Sequence, residues 1–162
     1  MKIELKKARK EDARKIYWLK REALIKINSK DYSKKVINLL LEKNSLNEIS
    51  KKIKEDVIFC LFKNNLLIGT ISITSNKIHG LAIRPSHINK GYGKYLINFI
   101  EKYAKKKNIK KLIIYPSLTA QKFYEKLGYK KSGKTSTWKY KNKILELNVP
   151  IMEKKLKEEL KK

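Results

Sequence analysis

The stretch INKGYGKYL, Ile88–Leu96, decides how the rest of this chain is read. Gly91 and Gly93 stand one residue apart, flanked by Lys90 and Lys94. Each glycine weakens a regular element, yet helical spacing begins at once, with Leu96, Ile97, Ile100, Tyr103 and Ala104 on one face. Glycine admits a ligand to the backbone where a Cβ would stand, and a helix N-terminus presents unpaired N–H groups to anions. Set between a strand-like segment and that helix, the pair predicts a phosphate- or pyrophosphate-binding turn. Its donors would be the amides of Asn89, Lys90, Gly91, Tyr92, Gly93 and Lys94, with charge from the two lysines. A dinucleotide fingerprint needs a third glycine where Leu96 stands, and a P-loop needs GxxxxGK[ST], so neither fits. A plain loop-to-helix turn is the competing reading.

Working outward, Ile3 to Ala8 reads as an edge strand. From Glu11, the residues Ala13, Ile16, Tyr17, Lys20, Ala23, Leu24 and Ile27 keep helical spacing, with Glu11 and Asp12 in the first turn. A second helical piece follows Ser33, and Ser45–Glu48 is a capping box opening a third. The texture then turns β-favouring: Val57 to Phe62, Leu66 to Thr74 and Lys77 to Ile83, separated by Asn64-Asn65 and Ser75-Asn76, predict an antiparallel meander. After the glycine helix come a strand at Lys111 to Tyr115, a helix from Leu118 to Leu127 stopped by Gly128, and two long strands, Tyr129 to Tyr140 and Ile144 to Met152. This predicts a single α/β (α+β) domain over residues 1–152, followed by a lysine-rich tail, 153–162, helical or frayed.

At 162 residues the chain suits one domain that buries roughly two thirds of its unfolded surface. No apolar run reaches the ~18 residues of a membrane span, and none resembles a signal peptide. One cysteine, Cys60, excludes an internal disulfide and suits a reducing cytoplasm. Two histidines and that cysteine, without metal spacing, argue against a metal enzyme. Lys and Arg number 41 against 15 Asp and Glu, a net charge of +26, which raises nucleic acid as a partner. Only Arg9, Arg14, Arg21 and Arg84 are arginines, the residue preferred for bidentate phosphate and base contacts. The lysines are spread along the whole chain, so a solvated basic surface is the expectation rather than specific nucleic-acid recognition.

Three segments in order now carry a resemblance: Leu81-Ala82-Ile83-Arg84-Pro85, then INKGYGKYL, then SLTAQKFYEKLGY from Ser117 to Tyr129. Together they resemble the GNAT superfamily of N-acetyltransferases, with its apolar strand, its [QR]-x-x-G-x-[GA] loop and its A-x-x-x-Y-x-x-x-G-[FY] helix. Ala120, Tyr124, Gly128 and Tyr129 match the last pattern without a gap. Ile88 departs from the family at the [QR] position, which leaves recognition to the backbone and to Asn89, Lys90 and Lys94.

The resemblance implies a central, mostly antiparallel mixed sheet of about seven strands with about four helices, and a splayed fourth and fifth strand. It implies acetyl-CoA as cosubstrate and direct attack by an amine on the thioester; a monomer or homodimer is expected, and the lack of a long apolar run predicts no membrane partner. The fourth strand, at Leu81, Ala82 and Ile83, would pair with the pantetheine arm and polarise the thioester carbonyl. Tyr124 would protonate the leaving thiolate; as a residue on the face of Ala120, Phe123 and Leu127 it reads equally as core. A base is implied near Lys77, where His79, two residues on, has the suitable ordinary pKa of ~6.5. A hydrogen-bonded strand histidine is the alternative. Ser117 would touch the pantetheine region or cap a helix, and Lys122 would meet the CoA phosphates or solvent. The acceptor pocket would draw on Tyr17, Trp18, Lys20, Tyr32, Trp138 and Tyr140, with the amine's identity left open. The rival function is a basic nucleic-acid- or ribosome-associated module on the same fold, with steeply salt-dependent binding.

Overall fold

The computed structural model describes the backbone of residues 1–158, and their side chains apart from those of 145–148. The chain runs β1 (Ile3–Lys7), α1 (Ala13–Lys26), α2 (Lys34–Lys43), α3 (Leu46–Glu55), β2 (Val57–Lys63), β3 (Leu66–Thr74) and β4 (Lys77–Ile83). It continues with α4 (Tyr92–Lys106), β5 (Lys111–Ile114), α5 (Gln121–Lys126), β6 (Lys130–Tyr140) and β7 (Lys143–Lys155). The strands form one seven-stranded sheet in the order β1-β2-β3-β4-β5-β7-β6, and only the β4–β5 pair is parallel.

Local chemistry sets most boundaries. Asn64 and Asn65 take left-handed φ values of 48° and 67°, as a two-residue hairpin between β2 and β3 requires. Ser33 and Ser45 cap α2 and α3, their hydroxyls accepting from the amides of Val36 and Glu48 at 3.3 Å. Glu11 and Asp12 fall in a short 3₁₀ turn ahead of α1 rather than within it. There the Asp12 carboxylate accepts from the Arg9 amide at 2.9 Å. Among the described residues five α-helices form, three of them in the N-terminal third as the residue pattern there predicts, against the roughly four that the resemblance implies.

Helices cover both faces of the sheet. On one, Leu96, Ile97, Ile100 and Ala104 of α4 pack on Leu61, Ile68, Ile71 and Ile78. On the other, Ile16 and Leu19 of α1 and Ile49 of α3 meet Ile58, Cys60, Phe62 and Leu67. Burying a side chain of this size contributes about 1.5–3 kcal/mol, so the apolar stripes suffice to seat the helices.

The C-terminal boundary differs from expectation. β7 runs through Lys155, with Lys111 opposite Lys155 and Leu112 opposite Lys154, and the Leu156 amide donates to Lys110 at 2.8 Å. Lys154 donates to both Glu101 carboxylate oxygens, at 2.9 and 3.1 Å, and to the Leu127 carbonyl at 2.7 Å. The first residues of the expected tail are therefore sheet; 159–162 lie outside the described residues.

Candidate acetyltransferase site

The site begins with a defect in the sheet. Between the pairs Ser72–His79 and Thr70–Ala82, β3 supplies one residue and β4 supplies two, Gly80 and Leu81. This is a β-bulge, which bends its strand and leaves the extra residue unpaired. Gly80 has a φ of 63°, and a Cβ there would lie 3.1 Å from both Lys20 Nζ and Ser72 Oγ. Glycine is required twice over, by conformation and by space. The buried Thr70 hydroxyl donates to the Gly80 carbonyl at 3.0 Å and pins the bulge. On its other edge β4 pairs with β5 only at Lys77–Ile113 and Ile78–Ile114, then diverges. Arg84 ties the far end of β4 down: its amide donates to Ile68, its Nε to the Leu67 carbonyl at 3.0 Å, and its guanidinium to Glu22 at 3.0 Å.

The N-terminus of α4 faces the opening. Asn89 and Gly91 take positive φ, 58° and 84°, and no side chain caps the helix. Its first backbone bond runs from the Tyr95 amide to the Gly91 carbonyl, which leaves the amides of Tyr92, Gly93 and Lys94 without helical partners. The two glycines serve different ends. A Cβ on Gly91 would meet nothing within 4 Å, so that position is chosen for its φ. A Cβ on Gly93 would lie 3.2 Å from the Phe123 ring, so that one is chosen for closeness to α5.

Between these parts lies a cleft of about 500 Å³. Gly80, Leu81, Ala82 and Ile83 form one wall; Ile88, Asn89, Gly91, Gly93 and Lys94 form another. Ser117, Thr119, Ala120 and Phe123 close it on the α5 side, and Lys20, Leu24, Ile27, Asn28 and Asn44 come from α1, α2 and the segments beside them. Eight expected residues thus meet here: Leu81, Ala82, Ile83, Asn89, Gly91, Gly93, Lys94 and Ser117.

Five others, Lys90, Tyr92, Lys122, His79 and Tyr124, do not line it. Lys90 donates back to the Ser86 carbonyl at 3.1 Å, and the Tyr92 ring turns toward His87 and Lys63, so only their backbone can serve a ligand at the loop. Lys122 is exposed on α5. His79 shares Nε2 with the Thr74 hydroxyl at 2.7 Å and lies 3.8 Å from Asp56. Burial and the charges of Lys20, Lys52 and Lys43 outweigh Asp56 and lower its pKa, so it is neutral at pH 7. Ser117 makes no capping bond; its hydroxyl pairs with that of Thr119 at 3.3 Å.

Tyr124 is 4% exposed and packs edge-on against Phe123 and Tyr129. Burial raises its pKa, so its hydroxyl holds its proton throughout the physiological range. Of the expected acceptor-pocket residues, Lys20 lines the cleft. Trp18 is 61% exposed, and Tyr32 packs on Trp138 while its hydroxyl accepts from the Leu118 amide at 2.9 Å.

Residues 28–144 match the family described as the acetyltransferase (GNAT) domain. The chain belongs to the GNAT acetyltransferases. Solved structures agree on the fold along the whole length. A GCN5-related N-acetyltransferase from Rhodopseudomonas palustris superposes with a TM-score of 0.86 at 19% identity, over 96% of this chain and 97% of that one. PaiA N-acetyltransferase from Thermoplasma acidophilum, in complex with coenzyme A, gives 0.73 at 25% identity over 96% and 99%. YncA from Salmonella typhimurium, with its cofactor acetyl-CoA, gives 0.63 at 13% over 100% and 98%. No curated protein matches the chain in sequence.

One feature of this GNAT cleft escapes a reading of the sequence, though it leaves a trace there. Gly80 is an isolated glycine inside a strand pattern, the usual mark of a bulge. Lys20, by contrast, is expected at the acceptor pocket, and its register with the apolar stripe of α1 is what brings it to the cleft instead of solvent.

Proposed function

We propose that this chain transfers an acetyl group from acetyl-CoA to a primary amine of a small molecule or peptide. The observation that carries the proposal is the meeting of two unsatisfied backbone surfaces across one cleft. They are the β4 edge beyond Ile78 and the free amides that open α4. An extended chain of amides ending in a pyrophosphate fits both, and the space over Gly91 is open to it. PaiA, solved in complex with coenzyme A, and YncA, solved with acetyl-CoA, share this fold, which supports the same reading.

When bound, acetyl-CoA supplies a thioester whose carbonyl carbon takes the amine nitrogen and whose sulfur departs as thiolate. Leu81, Ala82 and Ile83 offer main-chain groups to the pantetheine amides and a donor to the thioester carbonyl. Asn89 to Lys94 hold the pyrophosphate through their amides, with charge from Lys94; Ile88 adds only an apolar wall. Lys122 contributes long-range charge, and Ser117 a hydroxyl at the α5 side. Tyr124 keeps a proton at its hydroxyl for the leaving sulfur. His79, neutral but set back from the cleft wall, accepts the amine's proton through water rather than by contact.

The test is a thermal melt with and without acetyl-CoA, followed by free-thiol release over amines, amino acids and peptides. A raised Tm together with thiol release supports the proposal. No shift and no thiol release, with salt-sensitive RNA binding instead, would point to the basic binding module.

A further inference from the structure

One wall of the cleft carries a cation, Lys20, that no carboxylate among the described residues contacts. Lys20 places its ammonium against the β4 bulge, 3.1 Å from where a Cβ on Gly80 would stand. Lys43 and Lys52, from α2 and α3, belong to the same group: Lys52 Nζ donates to the Lys43 carbonyl at 3.3 Å, and the charges of both act on Lys20. Among the described residues none of the three has a carboxylate within 4.0 Å. Asp56 is the carboxylate whose field reaches both Lys20 and Lys52, with Glu48 acting on Lys52 as well, and Asp56 already accepts a hydrogen bond from the Thr74 hydroxyl at 2.9 Å. The contrast with other partly buried cations is plain. Arg84 has Glu22 at 3.0 Å, and Lys154 has Glu101 at 2.9 Å.

Resting on the acetyltransfer reading, we propose that the acceptor carries an anionic group beside its amine, a carboxylate or a phosphate, and that Lys20, backed by Lys43 and Lys52, binds it. Desolvated cations repel one another and lose hydration, and a bound anion relieves both costs. The same field works on the acceptor's amine. A nearby positive cluster disfavours the ammonium form and so favours the neutral, nucleophilic nitrogen. Lys20 feels this already: burial and then its two lysine neighbours bring it down to about 8. Polycationic amines are excluded by the same repulsion. The acceptor class is therefore zwitterionic, an amino acid or an aminoalkyl phosphate.

The experiment is free-thiol release with saturating acetyl-CoA on matched pairs: β-alanine against propylamine and O-phosphoethanolamine against ethylamine, with spermidine alongside. At least one anionic member is expected to exceed its partner by about tenfold or more in kcat/KM. Lys20→Met is expected to erase that preference by raising KM, while the Tm rise given by acetyl-CoA persists. Activity is not the only readout. Sodium acetate and inorganic phosphate, at ionic strength matched with chloride, are expected to raise the Tm of the wild type more than that of Lys20→Met. Should Lys20→Met fold poorly, Lys52→Met takes its place in both measurements. Equal rates within both pairs, spermidine as the best acceptor, or a preference that survives the lysine substitution overturns the proposal. If none of these amines is acetylated, equal anion shifts in wild type and variant overturn it. Failure of the acetyltransfer reading itself shows separately, as an absent acetyl-CoA shift in both proteins.

Discussion

Replacing each glycine of the loop separates conformation from space. Gly91→Ala puts a Cβ into open surroundings but at a φ of 84°, where an L-residue costs roughly 1–2 kcal/mol. For a chain of this length that corresponds to a fall in Tm of roughly 2–8 °C. The cleft is not filled, so acetyl-CoA should still raise the Tm of this variant. Gly93→Val behaves the other way. Its φ is ordinary, but its Cβ already lies 3.2 Å from Phe123 Cζ, and two further methyl groups must enter the cleft or displace the ring. The fold should tolerate this at about 1–3 kcal/mol, the usual cost of overpacking, while the pyrophosphate position is obstructed. Acetyl-CoA at one hundred times its Kd stabilises by about 2.7 kcal/mol, so the ligand-induced rise is measurable for wild type and Gly91→Ala. It should vanish for Gly93→Val. Thermal melts over a series of acetyl-CoA concentrations make the comparison, and a full shift in Gly93→Val would refute this account of the loop.

Tyr124→Phe removes one hydroxyl from a packed ring; kcat should fall roughly 10²-fold or more while the acetyl-CoA melt shift stays unchanged, and an unaltered kcat takes Tyr124 out of the mechanism. His79→Ala should remove the acid limb of the pH–rate profile, which the lowered pKa places below 6.5; an identical profile removes His79 as the proton acceptor. Lys20 titrates at about 8 in the folded state against 10.5 unfolded, amid Lys43, Lys52, Asp56 and Cys60. The unfolded chain holds more protons between those values, so this group's penalty is full below pH 8 and fades as pH rises to 10.5. Lys20→Met should therefore be more stable than wild type at pH 7, by at most about 3 kcal/mol since part of the side chain meets solvent, with the gap closing by pH 10.5 in denaturant melts. Ending the chain at Met152 removes three residues of β5–β7 pairing and the Lys154 ties to Glu101 and Leu127, and circular dichroism should show a cooperative transition well below wild type.

Much of the architecture is written locally. Asparagine turns, serine caps and alternating apolar runs place the strands of the meander and the helices α2 and α3 within a residue or two. The glycine loop is legible because its demands are backbone demands. The charged contacts are less so. Glu101 and Lys154 lie 53 positions apart, and nothing near either announces the other. Lys154 belongs to a lysine-rich run that looks solvated until the fold brings it a carboxylate and a carbonyl. The basic group behind the cleft is hidden for the same reason: Lys20 shows itself by its place in the α1 stripe, but Lys43 and Lys52, on two other helices, look like ordinary surface lysines.

The extra residue at Gly80 also sets the phase of β4. Before it, Ile78 faces the α4 side of the sheet and His79 the opposite side. Strict alternation would then send Leu81 toward α1 and Ala82 toward α4. Because β4 gains one residue against β3, Leu81 and Ile83 pack with the α4 cluster and Ala82 with the α1 cluster. The small side chain thus falls on the side where Lys20 needs room, and the two large ones on the side that has a core to fill. Deleting one residue at this point would exchange the two faces from Leu81 onward, pressing isobutyl groups into the basic wall and leaving a void under α4. The irregularity that opens the cleft is also what keeps the rest of the strand the right way round.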